Sequence, residues 1–123
     1  MQLYESGEMY LETIFMLMKA KDGVHAVDVA KKLQVSRPSV SNALQKLQAE
    51  RYITIDGMDH IQFTEKGLEQ AQRIYDRHVL FTEFLKTLGV GPENAEADAC
   101  KMEHDLSDET CACIRAFLEK KEG

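Results

Sequence analysis

Between residues 27 and 63, two short helical patterns meet at Gln34-Val35-Ser36 and run directly into a hairpin signal, which leaves little topological choice. Val27, Ala30 and Leu33 fall on one face of a helix over 27–33, and Val40, Leu44 and Leu47 line one face of the next. Ser36 is placed to cap this second helix, and Pro38 suits a first turn whose amides lack intrahelical partners. Residues 52–55 and 61–63 alternate as strands around Asp56-Gly57-Met58-Asp59, the composition of a tight turn. Helix, turn, helix and β-hairpin in this order predict a winged helix-turn-helix.

The remainder reads as helix. Leu11, Ile14, Phe15 and Met18 recur at i, i+3, i+4 and i+7, predicting an amphipathic helix over about 5–20 that Asp22-Gly23 ends. Thr64 is placed to cap a long helix reaching about 88, stopped by Gly89-Val90-Gly91-Pro92. Ile74, His78, Phe81, Leu85 and Leu88 share its inner face. Further helices are expected over about 93–104 and 108–121, the last opened by Ser107 with Asp108 and Glu109 at the dipole's positive end.

With 44% hydrophobic residues in 123, the chain has enough apolar material for a buried core. The apolar run near Tyr10 is too short to cross a bilayer, so a cytoplasmic protein is expected. Three cysteines, an odd number, favour free thiols or metal ligands over a disulfide framework.

The net charge of −6 conceals an asymmetry. Lys19, Lys21, Lys31, Lys32, Arg37, Lys46 and Arg51 face only Asp22, Asp28 and Glu50 within 19–51, while the rest of the chain is acidic. A basic segment in an acidic molecule fits a DNA reader joined to a cation-binding half, although solvated helix faces give the same pattern. Ser36, Arg37, Pro38, Ser39, Ser41, Asn42, Gln45 and Lys46 form the candidate DNA surface. Ser39, Ser41 and Asn42 have the short polar side chains that meet base edges, Arg37 suits a phosphate or a guanine, and Lys46 suits the backbone.

A second group of residues carries metal chemistry. Cys100-Lys101-Met102-Glu103-His104 sets a thiol, a carboxylate and an imidazole at i, i+3 and i+4, one face of a helix. Met9 and Glu12 lie on a stripe of the first helix distinct from its apolar one, and His78 interrupts an apolar face. Singly, each has an ordinary explanation: core methionine, solvated glutamate, satisfied core histidine, buried cysteine. Together they form a mixed soft and hard donor set suited to a first-row transition ion rather than to Ca²⁺ or Mg²⁺.

Glu8-Met9-Tyr10-Leu11-Glu12-Thr13-Ile14-Phe15, the 36–42 segment, Arg77-His78 and Cys100-Lys101-Met102-Glu103-His104-Asp105-Leu106-Ser107 resemble the diphtheria toxin repressor/manganese transport regulator (DtxR/MntR) family over nearly the whole chain. The resemblance implies a homodimeric, metal-activated repressor of metal-uptake genes that binds a palindromic operator, in the short form without an SH3-like domain. The implied fold is mainly α, with a winged helix-turn-helix DNA-binding domain over 1–72. A helical metal-binding and dimerisation domain over 73–123 follows, linked by a long helix over about 65–88.

Residue by residue, Met9, Cys100, Glu103 and His104 match the primary site of the iron-responsive branch. Glu12 and His78 match ligands of the manganese branch, and His78 also matches an ancillary ligand of the iron branch. Thr82 stands where the family often has a carboxylate, which leaves Glu83 or Glu96 as possible ancillary donors. Met9 and Cys100 favour Fe²⁺ as cofactor, with Mn²⁺ the alternative, because Mn²⁺ prefers oxygen donors.

Three other readings remain open at this point: a winged-helix regulator responding to a small molecule or thiol oxidation, a protein-contact module, and a metalloenzyme using Glu103 as base. No nucleophile or phosphate loop accompanies Glu103, so an enzyme is not expected.

Overall fold

The computed structural model describes residues 5–122. Helices α1 (Glu5–Ala20), α2 (Ala26–Leu33) and α3 (Arg37–Ala49) precede strands β1 (Ile53–Ile55) and β2 (Ile61–Phe63). Helices α4 (Glu65–Thr87), α5 (Pro92–Met102) and α6 (Asp108–Glu122) follow. The chain forms two units that divide between Gln72 and Arg73, within α4.

In the first unit, Leu11, Ile14 and Phe15 of α1 are buried with Val29 and Ala30 of α2 and Val40, Leu44 and Leu47 of α3. The inward face of α2 differs from the expected one. Val29 is fully buried, whereas Val27 and Leu33 are only half-buried. Asp28 accepts the His25 N–H at 2.8 Å, and the helix begins at Ala26, one residue earlier than expected. Ser36 caps α3 by accepting the Ser39 N–H at 3.3 Å, and Gln34 ends α2 in the left-handed region at φ 56°.

The wing is antiparallel, with Ile53 opposite Phe63 and Ile55 opposite Ile61. The Asp56 carboxylate holds the turn by accepting the Met58 N–H at 2.8 Å and the His60 N–H at 3.0 Å. Val24 extends the ladder on the other side of β2, its carbonyl accepting the Ile61 N–H at 2.8 Å. Thr64 caps α4 as expected, accepting the Gly67 N–H at 3.0 Å while its hydroxyl donates to the Arg51 carbonyl at 2.6 Å. Gly67 is required by contact: a Cβ there would lie 1.8 Å from the Tyr52 carbonyl oxygen. The wing and the first turn of α4 are therefore seated backbone to backbone.

In the second unit, Phe81, Ala99 and Cys111 form a buried cluster against which Leu80, Leu85, Met102, Leu106 and Ile114 pack. Ala95 and Ala99 are both fully buried, so α5 presents small residues to the interior. Two expectations change here. Leu88 is 60% exposed, because the inner stripe ends with Leu85 as the helix stops at Thr87. Helix α5 ends at Met102, leaving Glu103 as its C-cap and His104 in the following turn.

Candidate metal centre and nucleic-acid interface

In the second unit, α4 and the end of α5 bring three donors together. One ligand atom each from His78, Cys100 and Glu103 lies within 4.8 Å of the other two. His78 Nδ1 is 2.9 Å from Glu103 Oε2, and both side chains are buried. His104 Nε2 lies 3.4 Å from Glu103 Oε1, and its side chain is almost wholly covered. Glu103 is 1% exposed, yet its Oε1 accepts no hydrogen bond. A buried carboxylate oxygen without a hydrogen bond is costly unless a cation stands beside it, and His104 fills that place only when protonated. Cys100 is exposed and carries a free thiol, so it brings a soft donor to the solvent side of the group.

The loop that carries Glu103 and His104 is fixed by Arg77, one residue before His78. Its guanidinium donates to the carbonyls of Glu103 at 3.2 Å and Leu106 at 2.9 Å, and to Asp108 at 2.5 Å. Arg77 is itself buried. This clamp, centred on a residue noted only as part of a motif, is what sequence reasoning missed. The available signal was a lone arginine beside the inward histidine of a helix.

The possible ancillary donors separate. Glu96 Oε1 lies 3.9 Å from His78 Nε2, on a side chain that is 66% exposed. Glu83 pairs with Lys86 at 3.8 Å and lines a cleft with Asp76 and Arg115 whose lining does not include His78. Thr82 donates to the His78 carbonyl at 2.7 Å, one turn back along its own helix. In the first unit, Glu12 is 5% exposed and Met9 41% exposed, so the stripe they share on α1 is not uniformly covered.

The first unit presents the other surface. Ser36, Arg37, Pro38, Ser39, Ser41, Asn42, Gln45 and Lys46 are all exposed, while Val40, Leu44 and Leu47 hold α3 down. Arg37, Ser41 and Gln45 line a cleft of about 450 Å³ that the wing residues Ile55 and Asp59 close from the other side. A helix held by one apolar stripe, with polar side chains outward beside a hairpin, has the form of a major-groove reader.

Residues 2–61 match the model of the iron-dependent repressor N-terminal DNA-binding domain, and residues 64–122 match that of the iron-dependent repressor metal-binding and dimerisation domain. The chain belongs to the iron-dependent repressor (DtxR/MntR) family. Members of this family are metal-dependent transcriptional repressors that bind DNA and dimerise, not enzymes. An HTH-type transcriptional regulator of Methanocaldococcus jannaschii is 36% identical over 118 residues, covering 94% of each chain. The transcriptional regulator MntR of Escherichia coli is also 36% identical, over 90% of this chain and 72% of its own length. Among solved structures, the manganese regulator SloR superposes with a TM-score of 0.82 at 28% identity, covering 97% of this chain. This repressor-family chain spans 55% of SloR. No helix among the described residues is long and apolar enough to cross a membrane.

Proposed function

We propose that this chain is an iron(II)-activated repressor of metal-uptake genes, with His78, Cys100, Glu103 and His104 as the protein's ion-binding core. The observation that carries the reading is the buried Glu103 oxygen left without a hydrogen bond, in a group that also contains an imidazole and a thiol. Without an ion this buried carboxylate has only the imidazoles of His78 and His104 beside it, and a dication is the stronger partner its neighbours select. Glu96 stands as an outer donor beside His78, and the resemblance, rather than any distance, assigns Met9 and Glu12 as further ligands. Glu83 is the weaker ancillary candidate, being engaged with Lys86.

When bound, the ion would supply positive charge and fixed coordination geometry to this cluster. The chain's own residues do the rest. Arg77 sets the height of the Glu103 and Leu106 carbonyls, and Glu103 holds His78 through Nδ1. Ser39, Ser41 and Asn42 read bases, while Arg37, Gln45 and Lys46 position the protein on the backbone of a palindromic operator bound by a homodimer. Shifting such a dimer from mostly inactive to mostly active requires the ion to prefer the active form by roughly 5.5 kcal/mol.

Manganese is the second reading, favoured by the names of MntR and SloR, whereas the Cys100 thiol favours iron. Anaerobic equilibrium titration with Fe²⁺ and Mn²⁺ tests the choice. Tighter Fe²⁺ binding that Cys100→Asp reverses supports iron; tighter Mn²⁺ binding by the unaltered protein overturns it.

A further inference from the structure

The first unit carries a second group of donors that the centre around Glu103 does not use. His25, the N-cap of α2, and His60, which leads into β2, place their rings edge to face with centroids 4.6 Å apart. Their side chains are 39% and 32% exposed, so neither is locked in the core. Each imidazole has a carboxylate on its Nδ1 side: Asp56 Oδ2 is 3.4 Å from His60 Nδ1, and Asp28 Oδ2 is 3.8 Å from His25 Nδ1.

Both carboxylates are anchored by main-chain amides, Asp56 by those of Met58 and His60 and Asp28 by that of His25. A carboxylate against Nδ1 favours the tautomer protonated there and leaves the lone pair on Nε2, the arrangement that backs metal-bound histidine. His60 Nε2 lies beside Gly23, where a Cβ would come within 3.1 Å of it, so any side chain at that position would crowd the nitrogen. Gly23 also sits at φ 70°, which favours glycine on its own account.

We propose that His25 and His60 form a second metal site, on the DNA-binding unit, that takes a borderline divalent ion of the Zn²⁺ class through both Nε2 atoms. Imidazole ligands suit Zn²⁺, Ni²⁺ and Cu²⁺, so this site selects against Mn²⁺. Bonds of about 2.0–2.1 Å to a tetrahedral ion need two nitrogens about 3.3 Å apart. Neither ring is locked in the core, so the two can adjust toward that separation. With two protein ligands the remaining positions fall to water, making the site weaker than a closed one. Its ion ties the wing to the start of α2 beside the cleft that holds Arg37, Ser41 and Gln45, and adds positive charge on the phosphate-facing side.

This inference does not rest on the centre around Glu103, and its test is arranged to keep the two apart. Zn²⁺ is titrated calorimetrically into full-length Glu103→Gln, alone and combined with His25→Gln, His60→Gln or Asp56→Asn, with metal-free circular dichroism verifying the fold of each. The expected result is a Zn²⁺ equivalent that either histidine substitution abolishes or weakens at least about tenfold, and that Asp56→Asn weakens about tenfold. The Hε1 proton resonances of His25 and His60 should shift together during the titration. Identical isotherms for Glu103→Gln and both histidine variants, or resonances unmoved by excess Zn²⁺, would overturn the proposal.

Discussion

Arg77 donates to the main-chain carbonyl of Glu103 at 3.2 Å, so the residue preceding one buried donor holds the backbone of the next. The same guanidinium reaches Leu106 and Asp108 and thereby fixes the turn from α5 into α6. Arg77→Met leaves two carbonyls and a carboxylate without this donor. Hydrogen bonds from a charged group are worth about 1.5–3 kcal/mol each, but Asp108 is exposed and recovers water. The expected loss of metal-free stability is about 2–4 kcal/mol in urea unfolding. An unchanged midpoint and slope would contradict the clamp.

Glu103→Gln separates folding from metal binding. The amide removes a buried charge whose Oε1 lacks a hydrogen bond and keeps nearly the same volume. Metal-free Glu103→Gln should therefore be as stable as the unaltered chain, or more stable by about 1 kcal/mol, while binding metal far more weakly. Destabilisation by several kcal/mol in the presence of chelator would show that the carboxylate is already satisfied.

Gly67→Ala tests the seat of the wing. Its Cβ would meet the Tyr52 carbonyl at 1.8 Å, and the obstacle is backbone rather than a movable side chain. Overpacking of this kind costs about 1–3 kcal/mol or more. Thermal unfolding reads the loss directly, and a neutral result would mean that the wing is not held against the first turn of α4.

Acid weakens the first unit through Asp28. The His25 N–H, followed by the Lys21 side chain, holds its carboxyl below the ordinary value of 3.8. A group depressed in the folded state contributes stability that is full above its unfolded value and fades as pH falls through the folded one. Asp28→Ala, which removes the acceptor of the His25 N–H in the capping box, should cost about 1 kcal/mol at pH 7. The difference between the two proteins should shrink as pH drops below 3.8. A difference that stays constant down to pH 2 would contradict the assignment.

The DNA surface yields a contrast between two neighbours on α3. Asn42→Ala should relax base preference at one operator position, at about 1–3 kcal/mol. Lys46→Ala should weaken operator and random DNA alike and reduce the salt dependence by about one ion. Fluorescence anisotropy across a salt series distinguishes the two, and the opposite assignment of effects would reverse their roles.

Legibility in the sequence followed interaction range. The Ser36 cap, the Val40, Leu44 and Leu47 stripe and the Asp56 turn depend on residues within a few positions of one another, and local chemistry declares them. The end of α5 was harder, because Arg77 lies 26 residues from the Glu103 carbonyl it bonds. Periodicity carries Glu103 and His104 onward as helix, whereas a distant guanidinium draws their backbone into a turn. The inner face of α2 differed because a periodicity match over so short a segment does not fix which face meets the core. In the candidate centre the donor types were legible in Cys100, Glu103 and His104, but the missing hydrogen bond at Glu103 Oε1 has no sequence signature.

The most direct test is the affinity of the full-length protein for an inverted-repeat operator, measured anaerobically with Fe²⁺ and with chelator, for the unaltered chain and for Glu103→Gln. The account predicts tight binding only by the unaltered chain with Fe²⁺, and weak binding in the other three cases. Equal affinity with and without chelator, or full Fe²⁺ activation of Glu103→Gln, would contradict it.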